Sequence, residues 1–128
     1  MQNDVVIYRS DDGLVKMEAI VDASNETIWA TQKAMAQLFG VNVPAISKHL
    51  KNIYSEGELA ESMTISKMET VVQRGFRGAV REMVEFYNLD AIISVGYRIN
   101  SRQATAFRQW ATSVLKQYMI KGYAVNHN

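Results

Sequence analysis

The 128-residue sequence has no cysteine. That excludes a disulfide framework, a thiol nucleophile and any cysteine-ligated zinc or iron–sulfur site. It also lacks any apolar run near the roughly 18 residues that a membrane helix needs. Histidine occurs twice, as His49 and His127. His49 falls at the margin of the inward face of a helix, where packing or a phosphate contact is a better reading than metal ligation, and His127 lies in the tail. The acidic pairs Asp11 with Asp12 and Glu56 with Glu58 sit in turn-like segments and read as solvated turn chemistry. There is no G-x-x-x-x-G-K-[ST], no G-x-G-x-x-G after a strand and no H-E-x-x-H. The sequence therefore offers no enzyme site, no metal site and no cofactor site. The opening Met1-Gln2-Asn3-Asp4 is not a basic stretch followed by an apolar one, so a cytoplasmic location is expected.

What is present is the composition of a folded globular chain, with 48% hydrophobic and 21% charged residues, and one domain over 1–128 is the expectation. The net charge of +1 speaks at first against a polyanion partner. Taken by segment the charge is uneven: −4 over 1–30, +3 over 31–81, −3 over 82–97 and +5 over 98–128. The last segment holds Arg98, Arg102, Arg108, Lys116 and Lys121 with no carboxylate. Phosphate attraction acts within about 8 Å at physiological salt, so one basic face is enough. A solvated helix face would carry the same basic bias.

Val5-Val6-Ile7-Tyr8, the turn signal Asp11-Asp12-Gly13 and the alternating stretch from Leu14 to Val21 predict a β-hairpin over 4–21. Thr27-Ile28-Trp29-Ala30 reads as a third strand leading into a helix capped by Thr31. Met35, Leu38 and Phe39 lie at core spacing in that helix, and Gly40 stops it. Asn42 caps a second helix with Pro44 in its first turn and Ile46, Leu50 and Ile53 turned inward. Over 63–87, strand formers flank Arg74-Gly75-Phe76-Arg77-Gly78, which predicts a hairpin with that pentapeptide at its tip. Val80, Met83, Val84 and Tyr87 also fit one side of a helix, but two glycines cost more inside a helix than at a turn. Asn88 caps a further helix with Leu89, Ile92, Ile93 and Tyr97 as its buried stripe. Ser101 caps the last one, with Phe107, Trp110, Ala111, Val114, Leu115, Tyr118 and Met119 as an amphipathic stripe, Lys121 in its last turn and Gly122 at its stop. The fold class expected is α+β, winged-helix-like: an N-terminal hairpin, a helix-turn-helix over 31–54, a β-wing over 63–87 and C-terminal helices over 88–122.

The stretch from Thr31 to Ile53 carries the most chemistry. Ala36 is small where two helices must approach, Gly40 sits at the sharp turn, and Val41, Ile46 and Leu50 lock the pair. This is the mechanical requirement of a helix-turn-helix. With Ile46, Leu50 and Ile53 inward, the second helix presents Pro44, Ala45, Ser47, Lys48, Lys51 and Asn52, and no carboxylate lies between Asn42 and Ile53. Lys48 and Lys51 suit phosphates or guanine edges, Asn52 an adenine edge, and Ala45 or Ser47 a thymine methyl. Arg74 and Arg77 at the wing tip and Arg81 on its return strand suit backbone or minor groove. The competing readings are a helix pair that serves only packing and arginines on a solvated loop.

The sequence resembles the RhuM family, bacterial proteins of pathogenicity islands and prophages. The resemblance rests on Glu26-Thr27-Ile28-Trp29 with the helix pair after it and on the run from His49 to Leu59. Phe86 to Ser101, Phe107-Arg108-Gln109-Trp110-Ala111-Thr112 and Lys121-Gly122-Tyr123 complete it, so it covers almost the whole chain. It implies a DNA-binding or virulence-associated protein with no established enzymatic mechanism, hence no catalytic residue to carry over. The Phe-Arg-x-Trp helix ending in Lys-Gly-Tyr also resembles the N-terminal domains of phage antirepressor and Bro proteins, which bind DNA. RhuM proteins are often much longer, which implies a short form or the N-terminal part of a longer protein. The function expected is sequence-specific binding of double-stranded DNA by a transcriptional regulator, as a homodimer with recognition helices about 34 Å apart. The alternative is a protein-interaction or oligomerisation module whose C-terminal apolar stripe pairs with a second chain rather than with its own sheet. The sequence specifies no small-molecule effector.

Overall fold

The structure, a computed structural model, describes residues 4–126, and the side chains of 4–120. Alternation builds the first sheet. β1 (Asp4–Arg9) pairs antiparallel with β2 (Lys16–Asp22), placing Tyr8 opposite Met17 and Val6 opposite Ala19 on one face. Met17, Ala19 and Val21 are buried on that face while Lys16 and Glu18 between them are exposed. β3 (Thr27–Trp29) adds to the other side of β2, with Ile28 opposite Val21, giving the order β1-β2-β3.

Asp22 organises the β2–β3 turn. Its carboxylate accepts from Asn25 Nδ2 at 2.8 Å, Ser24 Oγ at 3.0 Å, Trp29 Nε1 at 3.1 Å and Asn25 N at 3.2 Å. Burial pushes its pKa up, but these donors outweigh burial and hold it below the usual aspartate range.

Two helices follow. Thr31 Oγ1 accepts from Ala34 N at 3.1 Å to start α1 (Gln32–Phe39), and Gly40 ends it in the left-handed region at φ 68°. Asn42 Oδ1 accepts from Ala45 N at 2.9 Å to start α2 (Val43–Ser55). Met35, Leu38, Phe39, Ile46, Leu50 and Ile53 are all buried, so both helices bury the stripes that their spacing predicts.

A single turn, α3 (Glu61–Thr64), absent from the sequence reading, leads into β4 (Ile65–Gln73). β4 pairs with β5 (Ala79–Tyr87) in unbroken register from Ile65 opposite Tyr87 to Gln73 opposite Ala79. The segment is a hairpin, not a helix: Gly75 and Gly78 take φ of 54° and 69° around a 3₁₀ turn at Gly75–Arg77. Only its root is built into the body. Phe86 and Tyr87 are buried, and Ala30 and Tyr87 exchange two backbone hydrogen bonds of 3.0 and 2.8 Å that tie the hairpin to the end of β3.

Asn88 Oδ1 accepts from Ala91 N at 3.1 Å to cap α4 (Leu89–Ile99), as its place in the sequence predicts. The buried stripe of α4 is Ala91, Ile92, Val95 and Gly96, whereas Leu89 and Ile93 are half-buried and Tyr97 is 46% exposed. Of the expected stripe Ile92 is fully buried as predicted, while Ala91, Val95 and Gly96 take the buried places expected of Leu89, Ile93 and Tyr97, because α4 is wedged against α1 and α5. A Cβ on Gly96 would lie 2.6 Å from the Phe39 ring and 2.7 Å from Ala104 Cβ.

α5 (Ser101–Asn126) begins from a cap on Asn100, whose Oδ1 accepts from Gln103 N at 3.2 Å, so Ser101 is the first helical residue and not the cap. The helical backbone also runs through Gly122 to Asn126 rather than stopping there. The Lys121 side chain and His127 lie outside the described residues. Phe107 and Trp110 pack on β1 through Tyr8, with ring centroids 5.3 and 5.1 Å away and both pairs edge-on at 73°. Ala104, Phe107, Ala111 and Leu115 are buried, so the stripe of α5 covers the chain's own sheet. Met119 departs from expectation at 41% exposed. Tyr118, one residue before it, lies beside Asp4 of β1. The fold is mixed α+β, and among the described residues no helix is long and apolar enough to cross a membrane.

Candidate nucleic-acid interface

The outer face of α2 is where the sequence-predicted residues gather. Pro44, Lys48 and Lys51 are exposed, and Ala45, Ser47 and Asn52 are half-buried beside them. Neither lysine is in an ion pair among the described residues. His49 is half-buried at the edge of the packed face.

Lys51 has a more elaborate setting than Lys48. It lines a hollow of about 200 Å³ between α2 and the hairpin root, together with Gln32, Ser47, Tyr54, Glu61 and Glu85. In this hollow Gln32 Nε2 donates to the Tyr87 hydroxyl at 2.9 Å, and that hydroxyl donates to Glu85 Oε2 at 3.1 Å. Burial, with the neighbouring Glu85 carboxylate, pushes the Tyr87 phenol up to about 12. The Tyr54 hydroxyl, 2.8 Å from Thr64 Oγ1, is raised by burial and by Glu61 and Glu85. Both tyrosines are therefore neutral hydrogen-bonding groups at neutral pH. The two carboxylates moderate the field at Lys51, and no residue of that sign belongs to α2 itself, so Lys48 is the less compensated cation of the pair.

The hairpin arginines are placed differently from expectation. Arg74 and Arg77 are at the tip and Arg81 on the return strand, but Arg74 grips Glu82 with two hydrogen bonds, the Nε one at 2.7 Å. Arg81 Nη1 lies 2.7 Å from Glu69 Oε1. The Arg74 guanidinium holds the Glu82 carboxyl below the usual range, with a smaller contribution from Arg77. Of the three, Arg77 alone makes no ion pair among the described residues. At about 3.4 Å per residue the tip also stands roughly 27 Å from the strand's start at Ile65. The structure thus does not bring the tip arginines to α2.

Arg98 is a further cation that sequence counting misplaced. It spans from α4 to the end of α2, with Nη2 2.8 Å from Glu56 Oε1 and 2.9 Å from Glu58 Oε1. The two glutamates read as turn residues and the arginine as part of a basic tail, and forty residues of separation hide the clamp. Arg102, Arg108 and Lys116 remain exposed on α5 without ion pairs among the described residues. α2 and α5 each pack on α4.

A larger hollow, about 560 Å³, is lined by Trp29, Met63 and Asn88 and by the carboxylates of Glu58 and Asp90, the wrong sign for phosphate. No group of three or more histidines, aspartates or glutamates that could hold a metal occurs among the described residues.

No curated protein and no solved structure matches the chain. The model of the Virulence protein RhuM family matches residues 63–128, which span the end of α3, the hairpin, α4 and α5 and leave α1 and α2 outside. The match takes in the hairpin root, the capped α4 and the α5 helix that roofs the sheet. It covers just over half of the sequence, and the chain belongs to the RhuM virulence protein family.

Proposed function

We propose that the chain binds double-stranded DNA, with α2 as the helix that enters the major groove, and that it acts as a regulator of transcription. The observation that carries this reading is the outer face of α2. Two exposed lysines without ion-pair partners stand there beside half-buried Ser47 and Asn52, on a helix free of carboxylates from Asn42 to Ser55. α1 supports it from behind through the buried contacts of Ala36, Leu38, Ile46 and Leu50, which gives the rigid presentation that base reading needs. The hairpin acts as a wing in this reading, with Arg77 as its free phosphate contact. No step of chemistry on the DNA is proposed.

The test is a titration of duplex DNA at several salt concentrations. Each phosphate-neutralising lysine contributes about 0.9 to the slope of log affinity against log salt, so Lys48→Ala with Lys51→Ala should lower the slope by about 2. Absence of salt-dependent binding in the folded parent protein defeats the reading.

A second reading keeps the hairpin out of the DNA interface. It is favoured by the self-neutralisation of Arg74 by Glu82 and of Arg81 by Glu69, which removes two of the three wing arginines from phosphate duty. In that reading the hairpin is a protein-interaction element.

A further inference from the structure

β4 is a nine-residue edge strand without proline, bulge or cover. Its register with β5 is unbroken, and among the described residues no third strand joins that sheet. Which of its backbone groups face outward follows from two bonds at the ends of the ladder. Arg74 N donates to Gly78 O and Asn88 N to Thr64 O, both at 2.9 Å, so the hydrogen-bonded pairs are the even-numbered residues of β4. The N–H and C=O groups of Ile65, Lys67, Glu69, Val71 and Gln73 therefore point away from β5; the Ile65 N–H is taken by the Glu61 carbonyl at the end of α3, and no other backbone bond of these five is seen among the described residues. Natural edges of this length are normally blunted, and this one is left as a template for a further strand.

The side chains on that edge choose the partner. Lys67 and Glu69 are both exposed, lie on the same face and are two residues apart around Met68; Glu69 already takes Arg81 of β5 on one oxygen, Oε1, and its second oxygen is the one a partner's lysine would meet. An antiparallel copy of β4 whose two-fold axis passes through Met68 places Lys67 opposite the partner's Glu69 and Glu69 opposite the partner's Lys67. Sliding the axis to residue 67 or 69 sets Lys67 or Glu69 against itself. The same register pairs outward-facing backbone with outward-facing backbone, completing the ladder at Lys67 and Glu69, while at Ile65 the N–H stays with Glu61 and the carbonyl alone joins. It also sets exposed Val71 opposite the partner's Ile65, and on the other face it aligns Val84, Met68, the partner's Met68 and the partner's Val84 in one apolar row.

We propose that β4 is a self-association edge: two copies of this chain join β4 to β4 about Met68 into a four-stranded antiparallel sheet. Self-complementary charge and an isologous edge point to a second copy rather than to a foreign strand. The proposal does not rest on DNA binding, and its test contains no DNA.

Sedimentation or light scattering of the parent chain should give twice the monomer mass. Lys67→Glu and Glu69→Lys, each alone, should halve that mass, because each places like charges opposite one another twice. Mixing the two single variants should restore the dimer, since every unlike pair is then re-formed, and Lys67→Glu combined with Glu69→Lys in one chain should restore it too. Val71→Asp, at a position 59% exposed, is the independent disruptor if either charge variant loses its circular dichroism spectrum. A monomeric parent chain overturns the proposal, as does a dimer that persists in the single variants or in Val71→Asp.

Discussion

Asp22 and Gly96 show how single residues hold this fold. Asp22 is 3% exposed and its carboxylate takes four hydrogen bonds, so Asp22→Asn turns an acceptor-only group into one that must point its own N–H toward existing donors. The expected loss is about 1–3 kcal/mol in denaturant unfolding at neutral pH. Its pH dependence has a definite sign. The carboxyl is depressed in the folded chain, so its stabilisation is complete above the unfolded value of about 4 and fades as pH falls through the folded one. The stability gap between the parent chain and Asp22→Asn should therefore narrow on acidification below about pH 4. Gly96→Ala sets two effects against each other: alanine improves helix propensity by about 1 kcal/mol, but its Cβ would sit inside contact distance of Phe39 and Ala104. Because Ala104 is on a packed helix and cannot swing away, overpacking at about 1–3 kcal/mol wins, and thermal unfolding should shift downward.

At the scale of elements, the α1–α2 turn and the hairpin differ in how they are anchored. Gly40 holds φ 68° in open space, so Gly40→Ala meets no steric neighbour and pays only for left-handed backbone, about 1–2 kcal/mol by denaturant unfolding. That turn was legible in advance: a glycine after Leu38-Phe39, then Asn and Pro within four residues, dictates a stop and a restart through purely local chemistry. The caps Thr31, Asn42 and Asn88 were legible for the same reason. The Asn100 cap was not, since Asn100 and Ser101 are both good caps and the choice depends on how α4 ends. The hairpin was legible by its glycines, but its charges were not. Each of its arginine–glutamate pairs joins opposite strands, 8 and 12 residues apart, and follows from the register alone.

For the molecule as a whole, the distribution of charge decides function. Arg74, Arg81 and Arg98 are held by Glu82, by Glu69 and by Glu56 with Glu58, leaving, among the described residues, Lys48, Lys51 and Arg77 as the cations of α2 and the hairpin tip without an ion pair and Arg102, Arg108 and Lys116 as those of α5. In DNA titrations, Arg74→Ala with Arg81→Ala should therefore lower the salt slope by less than Lys48→Ala with Lys51→Ala does, because a neutralised cation releases fewer counterions. The sequence by itself determined the order of strands and helices apart from the single turn α3, the turn at Gly40, three of the helix caps and the acid-free face of α2, all of which depend on residues within a turn or two of one another. Only the tertiary structure decided which arginines are spent on glutamates, that α4 buries Ala91, Val95 and Gly96 rather than Tyr97, and that α5 roofs its own sheet. Those outcomes depend on pairs brought together across 42 residues for Arg98 with Glu56 and farther still for Tyr8 with Trp110, and neither charge count nor periodicity contains that distance.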